Sequence, residues 1–374
     1  MIFSRELCMV RNVLFLFLTT FTMLSGCGKK APPRDFLKEQ ISTLKGEVQS
    51  FGGSYDAWNA QLKPFQDDVR ALLSSKPDAV SGLVGLDGFL FFRRSLDVLV
   101  GGDLRAQKDG RDPFPVIVDF MNQLKTRNVD LLVCFIPVKA DVYPEKVSSH
   151  APPLGKPFVN IYTRKLMFEL TSAGVECTDL LPRFVKERDA VPGEAEPFYM
   201  KLDTHWSNRA LRTAANLFAE RIKGYPWYKE VSRDKTAYTT QKVSCKRRGD
   251  IVTMLPEAER VSYAPMMLDA EQVLLPDGSF YEDSESSPIV LLGDSYSGVF
   301  HLEDCKHGGL TAHIAKEIGV PIDLILGQGM GPDIRGKLAR RGKGALDGKK
   351  LVIWTMSERD LYNYRSPWTV IPMP

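Results

Sequence analysis

The stretch Ile289-Val290-Leu291-Leu292-Gly293-Asp294-Ser295-Tyr296-Ser297 decides the fold. An unbroken apolar run followed at once by glycine and polar residues reads as a strand buried on both faces that ends in a tight turn. Strands of this kind belong to parallel sheets covered by helices. In open α/β sheets, ligands bind beyond the carboxyl ends of the strands. Ser295 lies at such an end. Gly293 permits the tight turn, so the Ser295 hydroxyl projects from the sheet and backbone amides face a developing oxyanion. Gly-Asp-Ser alone is a common turn tripeptide, and its position after the strand makes it a candidate site.

The surrounding sequence has the same texture. Val129 to Ile136, Ile322 to Leu326 and Leu351 to Trp354 read as further buried strands. Pro115 to Lys125, Ile161 to Ser172, Asn208 to Ile222 and Thr311 to Ile318 read as amphipathic helices between them. Strands alternating with helices predict an α/β domain with a mostly parallel sheet, assigned to residues 79–374. Before it, Leu37, Ile41, Leu44, Val48, Phe51, Tyr55, Trp58, Leu62, Phe65, Val69 and Leu72 follow at steps of three and four, a helical seam over residues 35–78. Gly46, Gly52-Gly53 and Pro64 predict a broken helix, because glycine costs about 1 kcal/mol and proline about 3 kcal/mol in a helix interior. The seam docks on the following domain or on a partner.

With 374 residues, 44% hydrophobic and 25% charged, the composition is that of a globular protein and excludes disorder as the default. The 49 basic and 46 acidic residues are too evenly matched for a nucleic-acid footprint. The longest basic cluster, Lys246 to Arg248, reads as a solvated loop.

At the N-terminus, Arg5 and Arg11 precede an apolar run from Val13 to Leu18 and then Leu24-Ser25-Gly26-Cys27, the form of a secretory signal. Glu6 is unusual in the charged region, and translation from Met9 would give a tidier signal. The tetrad resembles a bacterial lipobox, with residues 1–26 removed, Cys27 lipidated and residues 27–34 a tether; an ordinary signal peptide is the alternative. Gly28 after the cysteine favours the outer membrane by resemblance to lipoprotein sorting in enteric bacteria. Apart from Cys8 and Cys27, four cysteines remain, Cys134, Cys177, Cys245 and Cys305. An oxidising compartment permits disulfides, and four cysteines allow three connectivities. Cys134, in an apolar strand, is equally suited to be a buried thiol.

A serine hydroxyl attacks well only when a base removes its proton, and histidine titrates near neutrality. Of five histidines, His205 in Tyr199-Met200-Lys201-Leu202-Asp203-Thr204-His205-Trp206-Ser207 has the best setting. Asp203, two residues earlier in an extended segment, points to the same side and accepts the proton of the other ring nitrogen. Ser207 suits a helix N-cap. A capping or packing role for Asp203 and His205 is the alternative.

Asp-Thr-His-Trp-Ser, Gly-Asp-Ser-Tyr-Ser, Gly85-Leu86-Asp87-Gly88-Phe89-Leu90-Phe91, Ile136-Pro137-Val138-Lys139 and Tyr143-Pro144-Glu145 together resemble the alginate O-acetyltransferase family of AlgJ and AlgX type. The resemblance spans about Gly82 to Tyr362. It implies an SGNH hydrolase-like, three-layer α/β/α fold in which Asp-x-His precedes the serine, as it does here. It implies Ser295 as the acetylated nucleophile, His205 as general base and acid, and Asp203 as the orienting carboxylate. It further implies action in the periplasm on an exopolysaccharide, with acetyl groups arriving through a membrane-bound O-acyltransferase partner. Two departures are the lipobox with its helical segment and the chain's end soon after Tyr364, which leaves no room for an AlgX-type carbohydrate-binding module. Lys139, Trp206, Tyr296 and Arg359 lie in family-like motifs and contact sugar or orient the site; core packing for the aromatics and surface salt bridges for Lys139 and Arg359 are the alternatives.

The turn Gly327-Gln328-Gly329-Met330-Gly331 is a candidate oxyanion donor or merely a tight turn. His301, Cys305, His307 and His313 match no zinc spacing, so no metal and no cofactor is expected. A glycosidase built on Asp203 and Asp294 lacks a defined carboxylate separation. The sequence therefore predicts a periplasmic, lipid-anchored O-acetyltransferase working through an acetyl-serine. With water as acceptor the same groups make a carbohydrate acetylesterase, and a non-catalytic, lipid-anchored polysaccharide-assembly protein is the reading from another class.

Overall fold

The computed structural model describes residues 35–153, 156–188 and 197–374. The signal, the tether and Cys27 lie outside the described residues. Strands β1 (Gly82–Val84), β2 (Leu90–Phe92), β3 (Asp130–Ile136), β4 (Glu176–Cys177), β5 (Thr239–Arg247), β6 (Met266–Leu274), β7 (Ile289–Gly293), β8 (Asp323–Leu326) and β9 (Leu351–Ser357) form three sheets. The central one has five strands in the order β4-β3-β9-β7-β8, every neighbouring pair parallel. Its middle strands β7 and β9 are buried along their whole length, as their near-continuous apolar sequences require.

The helices Phe114–Lys125, Ile161–Ser172, Asn208–Lys223 and Leu310–Ile318 fall where the amphipathic spacing places them. Two antiparallel hairpins, β1-β2 and β5-β6, were not legible as strands. Much of β5 is exposed, so its residues lack the apolar run that marks a buried strand.

The N-terminal seam forms three helices, Phe36–Ser50, Tyr55–Gln61 and Lys63–Ser74. The first break falls at Gly52 and Gly53, whose φ angles of 116° and 79° favour glycine. Pro64 sits in the first turn of the third helix, where its missing N–H costs nothing. The seam docks on the α/β domain: the Trp58 indole donates to the Phe158 backbone oxygen at 3.1 Å, and Leu44, Leu62, Phe65 and Val69 join the common core. Gln40 donates to the Cys177 carbonyl at 2.8 Å and accepts its amide at 3.3 Å, which covers the exposed edge of β4.

Candidate active site

Ser295 follows β7 at the carboxyl edge of the sheet and opens the short helix Ser295–Gly298. Asp294 shapes that turn. One of its oxygens accepts the Tyr296 amide at 3.0 Å, and the other accepts the Ser357 amide at the end of β9 at 2.9 Å. Each oxygen accepts a backbone amide, so Asp294 braces the turn between the ends of β7 and β9. Gly293 is required for close approach: a Cβ there would lie 2.4 Å from Ser297 Oγ. The Gly293 carbonyl takes the Gly327 amide at 2.9 Å, so the first donor of the 327–331 turn ties two strand ends together and does not face an oxyanion.

His205 arrives from a tight hairpin, not from the extended segment that the sequence suggests. Tyr199 and Trp206 form an antiparallel bridge, and the Met200 amide donates to the His205 carbonyl at 3.2 Å. The turn brings Asp203 Oδ1 to 3.0 Å from the His205 amide and 2.7 Å from its Nδ1. Nδ1 therefore carries the proton, and Nε2 accepts from Ser295 Oγ at 2.9 Å. Asp203 is fully buried and His205 nearly so, whereas Ser295 is partly open to solvent. Ser207 caps the next helix by accepting the Ala210 amide.

The second oxygen of Asp203 has two partners that sequence reasoning missed. Arg247 Nε donates to it at 2.7 Å and the Asp250 amide at 2.8 Å. Lys246 and Arg248 are exposed, but Arg247 between them is buried, which corrects the reading of this cluster as a solvated loop. Gly249 lets this segment press against the hairpin, since a Cβ there would lie 2.0 Å from the Leu202 carbonyl. Burial pushes the Asp203 carboxyl up, yet the hydrogen bonds and charges of His205 and Arg247 outweigh it and hold the group well below the usual carboxylate range. Asp250 accepts both the amide (2.7 Å) and the hydroxyl (2.6 Å) of Thr204, and lies 3.6 Å from His205 Nδ1. Only the glycine before Asp250 hinted at this close approach.

Trp206 and Tyr296 are fully buried and bond to each other's segments: the Trp206 indole donates to the Tyr296 carbonyl at 3.0 Å. Lys139 and Arg359 are also buried, which overturns the alternative of surface salt bridges. Lys139 Nζ donates to the carbonyls of Leu90 (2.7 Å) and Lys201 (3.1 Å), joining β2 to the Asp203 hairpin, and burial pulls its amine down to about 7. Arg359 lies over the rings of Phe92 (5.3 Å) and Tyr296 (5.4 Å), and its buried Nη1 has no hydrogen-bond partner among the described residues.

Of the remaining histidines, His301 pairs with Asp283 at 2.9 Å and His313 meets the Glu271 carbonyl at 3.0 Å, while Cys305 is disulfide-bonded to Cys245. They do not converge. Cys134 and Cys177 are buried thiols. Among the described residues, three acid or imidazole side chains bring their ligand atoms within 4.8 Å of one another at Asp203, His205 and Asp250. An ion there would compete with Arg247 and Thr204 for the same carboxylate oxygens, so the donor set suits hydrogen bonding better than a metal.

A serine, a histidine and a buried carboxylate at the carboxyl edge of a parallel sheet, with the Asp-x-His element before the serine in the chain, define an SGNH hydrolase-like site. The chain belongs to the family described as SGNH hydrolase-like domain, acetyltransferase AlgX, which it matches over residues 83–358. It is 23% identical over 319 residues to the probable alginate O-acetylase AlgJ of Pseudomonas aeruginosa, covering 76% of this chain and 73% of that one. It is 26% identical over 187 residues to the alginate biosynthesis protein AlgX of the same organism, covering 47% of this chain and 37% of AlgX. The fold is similar to the O-acetyltransferase domain of Pseudomonas putida AlgJ, with a TM-score of 0.58 at 20% identity over 78% of this chain and 94% of that domain. It is also similar to Pseudomonas aeruginosa AlgX, with a TM-score of 0.56 at 20% identity over 74% of this chain and 61% of that one.

Proposed function

We propose that this chain is an O-acetyltransferase that moves acetyl groups onto hydroxyls of an exopolysaccharide, alginate or a similar uronic acid polymer, through an acetyl-serine intermediate. The observation that carries the reading is the linear relay from Asp203 Oδ1 through His205, 2.7 Å on one side, to Ser295 Oγ, 2.9 Å on the other. His205 takes the Ser295 proton as Oγ attacks the acetyl carbonyl of a donor ester, and returns that proton to the departing alkoxide. A sugar hydroxyl then gives its proton to His205 and attacks the acetyl-serine, and His205 passes that proton to the departing Ser295 Oγ, which frees the serine. A membrane-bound O-acyltransferase is the proposed source of acetyl groups. Arg359, buried beside Tyr296 with an Nη1 that has no hydrogen-bond partner among the described residues, is the proposed contact for an acidic sugar.

The proposed setting is the periplasm, with Cys27 lipidated and the protein held to the outer membrane. The Cys245–Cys305 disulfide supports an oxidising compartment. Replacement of Cys27 by Ala is expected to release the protein from the membrane fraction, and unchanged partitioning would rule out the anchor.

A second reading, acetylesterase, is favoured by the partial exposure of Ser295, which admits water. One experiment separates the two. The protein is incubated with p-nitrophenyl acetate and a mannuronate oligomer, and acetylated oligomer is measured against free acetate by mass spectrometry. Acetyl transfer that Ser295→Ala abolishes is the expected result. Full activity in that variant would reject the serine mechanism, and free acetate as the sole product would favour the esterase.

A further inference from the structure

The segment Cys245-Lys246-Arg247-Arg248-Gly249-Asp250 lies outside every motif that carries the family resemblance, yet it supplies both partners of the outer oxygen of Asp203. Arg247 ends β5, and its guanidinium faces three carboxylates at once. Nε meets Asp203, while Nη1 meets Glu303 at 3.3 Å and Asp304 more closely still. Glu303 and Asp304 lie at the end of the helical turn that begins at Ser295 and continues through Val299–Glu303. Arg247 thus binds the orienting carboxylate with one edge and the nucleophile's own segment with the other.

A disulfide secures the same junction. Cys245 stands two residues before Arg247, on the same face of β5, and Cys305 directly follows Asp304. The bond therefore joins the strand that presents the guanidinium to the segment that presents its acidic partners. A guanidinium makes directed bonds through a rigid fork, so its value to Asp203 depends on where its strand is held. Gly249 completes the cradle by allowing the backbone to close on Leu202.

From this arrangement, and resting on the triad reading above, we infer that Arg247 is a positioning residue for the reaction, held in place by the Cys245–Cys305 crosslink. It fixes the carboxylate that orients His205 and couples that carboxylate to the nucleophile's segment. Among the described residues, the other charged groups near Asp203 and His205 are Asp250, Lys139 bonded to the hairpin at the Lys201 carbonyl, and Arg359 over the Tyr296 ring that packs on the imidazole.

Two readouts on the full chain test this. The first is the pH titration of His205, followed by NMR of its ring carbon and assigned with His205→Asn, which needs no turnover and so stands apart from the acetyl-transfer reading. Loss of the positive charge in Arg247→Gln leaves more negative charge around His205 and moves its titration midpoint upward. Arg247→Lys keeps the charge and leaves the midpoint near that of the wild type. The second readout is p-nitrophenyl acetate cleavage. Arg247→Gln lowers kcat about tenfold to hundredfold, the scale of a hydrogen bond to a charged group, and moves the acidic limb of the pH profile upward. The double variant Cys245→Ser with Cys305→Ser keeps every charge, so it lowers kcat several-fold with KM and the acidic limb unchanged. The inference is overturned if the His205 midpoint stays put in Arg247→Gln while activity falls only in step with the folded fraction. It is equally overturned if the double serine variant matches the wild type in kcat.

Discussion

Tyr296 Oη donates to the backbone oxygen of Thr204 at 2.7 Å, so the residue after Ser295 is bonded to the residue before His205. The Trp206 indole returns the connection by donating to the Tyr296 carbonyl. These crossed bonds tie two segments that are 90 residues apart in the chain, and they set the distance from His205 to Ser295. The Tyr296 ring also lies 4.8 Å from the imidazole, which limits its rotation.

Tyr296→Phe removes one of these bonds and leaves the Thr204 carbonyl buried without that donor. A loss of about 1–3 kcal/mol in unfolding free energy is expected from denaturant melts. Because the hairpin that carries the base is loosened, kcat for ester cleavage should fall by more than the folded fraction does.

Asp203→Asn keeps the shape of the relay but places an amide where Nδ1 must donate. The imidazole then adopts the tautomer with its proton on Nε2, which no longer accepts from Ser295. A drop of about 10³-fold or more in kcat, with little change in KM, is the expected outcome of steady-state kinetics.

Glu358 follows β9 and faces Asp141; each has a buried oxygen without a donor among the described residues. Burial raises both carboxyls, and the charge of Glu358 with a hydrogen bond between the two raises Asp141 further, so the pair shares a proton. The folded chain keeps a proton that the unfolded chain releases near pH 4, so stability falls as pH rises above that value. Glu358→Gln replaces the shared proton with an amide donor. Its thermal midpoint relative to the wild type should therefore be more favourable at pH 8 than at pH 5, by a few degrees (about 1 kcal/mol). A difference that does not change with pH would show that no proton is shared.

Arg359 should discriminate between charged and neutral acceptors. In calorimetric titrations, wild-type protein is expected to bind a mannuronate oligomer more tightly than its carboxyl-reduced counterpart. Arg359→Gln should erase that preference, about tenfold or more, because a charge-assisted pair is lost. Equal weakening toward both oligomers would place Arg359 in packing alone.

The sequence by itself determined the elements whose signal is local. Ile289 to Leu292 read as a buried strand, Gly293 as the residue that permits a tight turn, Ser295 as a residue at a strand end, and His205, two residues after Asp203, as the best placed of the five histidines. Their resemblance to a family, read from short motifs in order, fixed the class of fold. Tertiary structure decided the rest. Whether Asp203 reached His205 by an extended segment or a hairpin depended on the Tyr199–Trp206 bridge, which neighbouring residues cannot encode. The choice of Cys245–Cys305 among three pairings, the burial of Arg247 inside a basic triplet, and the withdrawal of Lys139 and Arg359 from the surface all depended on segments far apart in the chain. The strand order β4-β3-β9-β7-β8 brings the ends of β3, β7 and β9 to one edge, where Asp294 after β7 accepts the Ser357 amide of β9. Periodicity and turn chemistry act over a few residues, whereas the partner of a buried charge is set by topology, and topology is a property of the whole packed sheet.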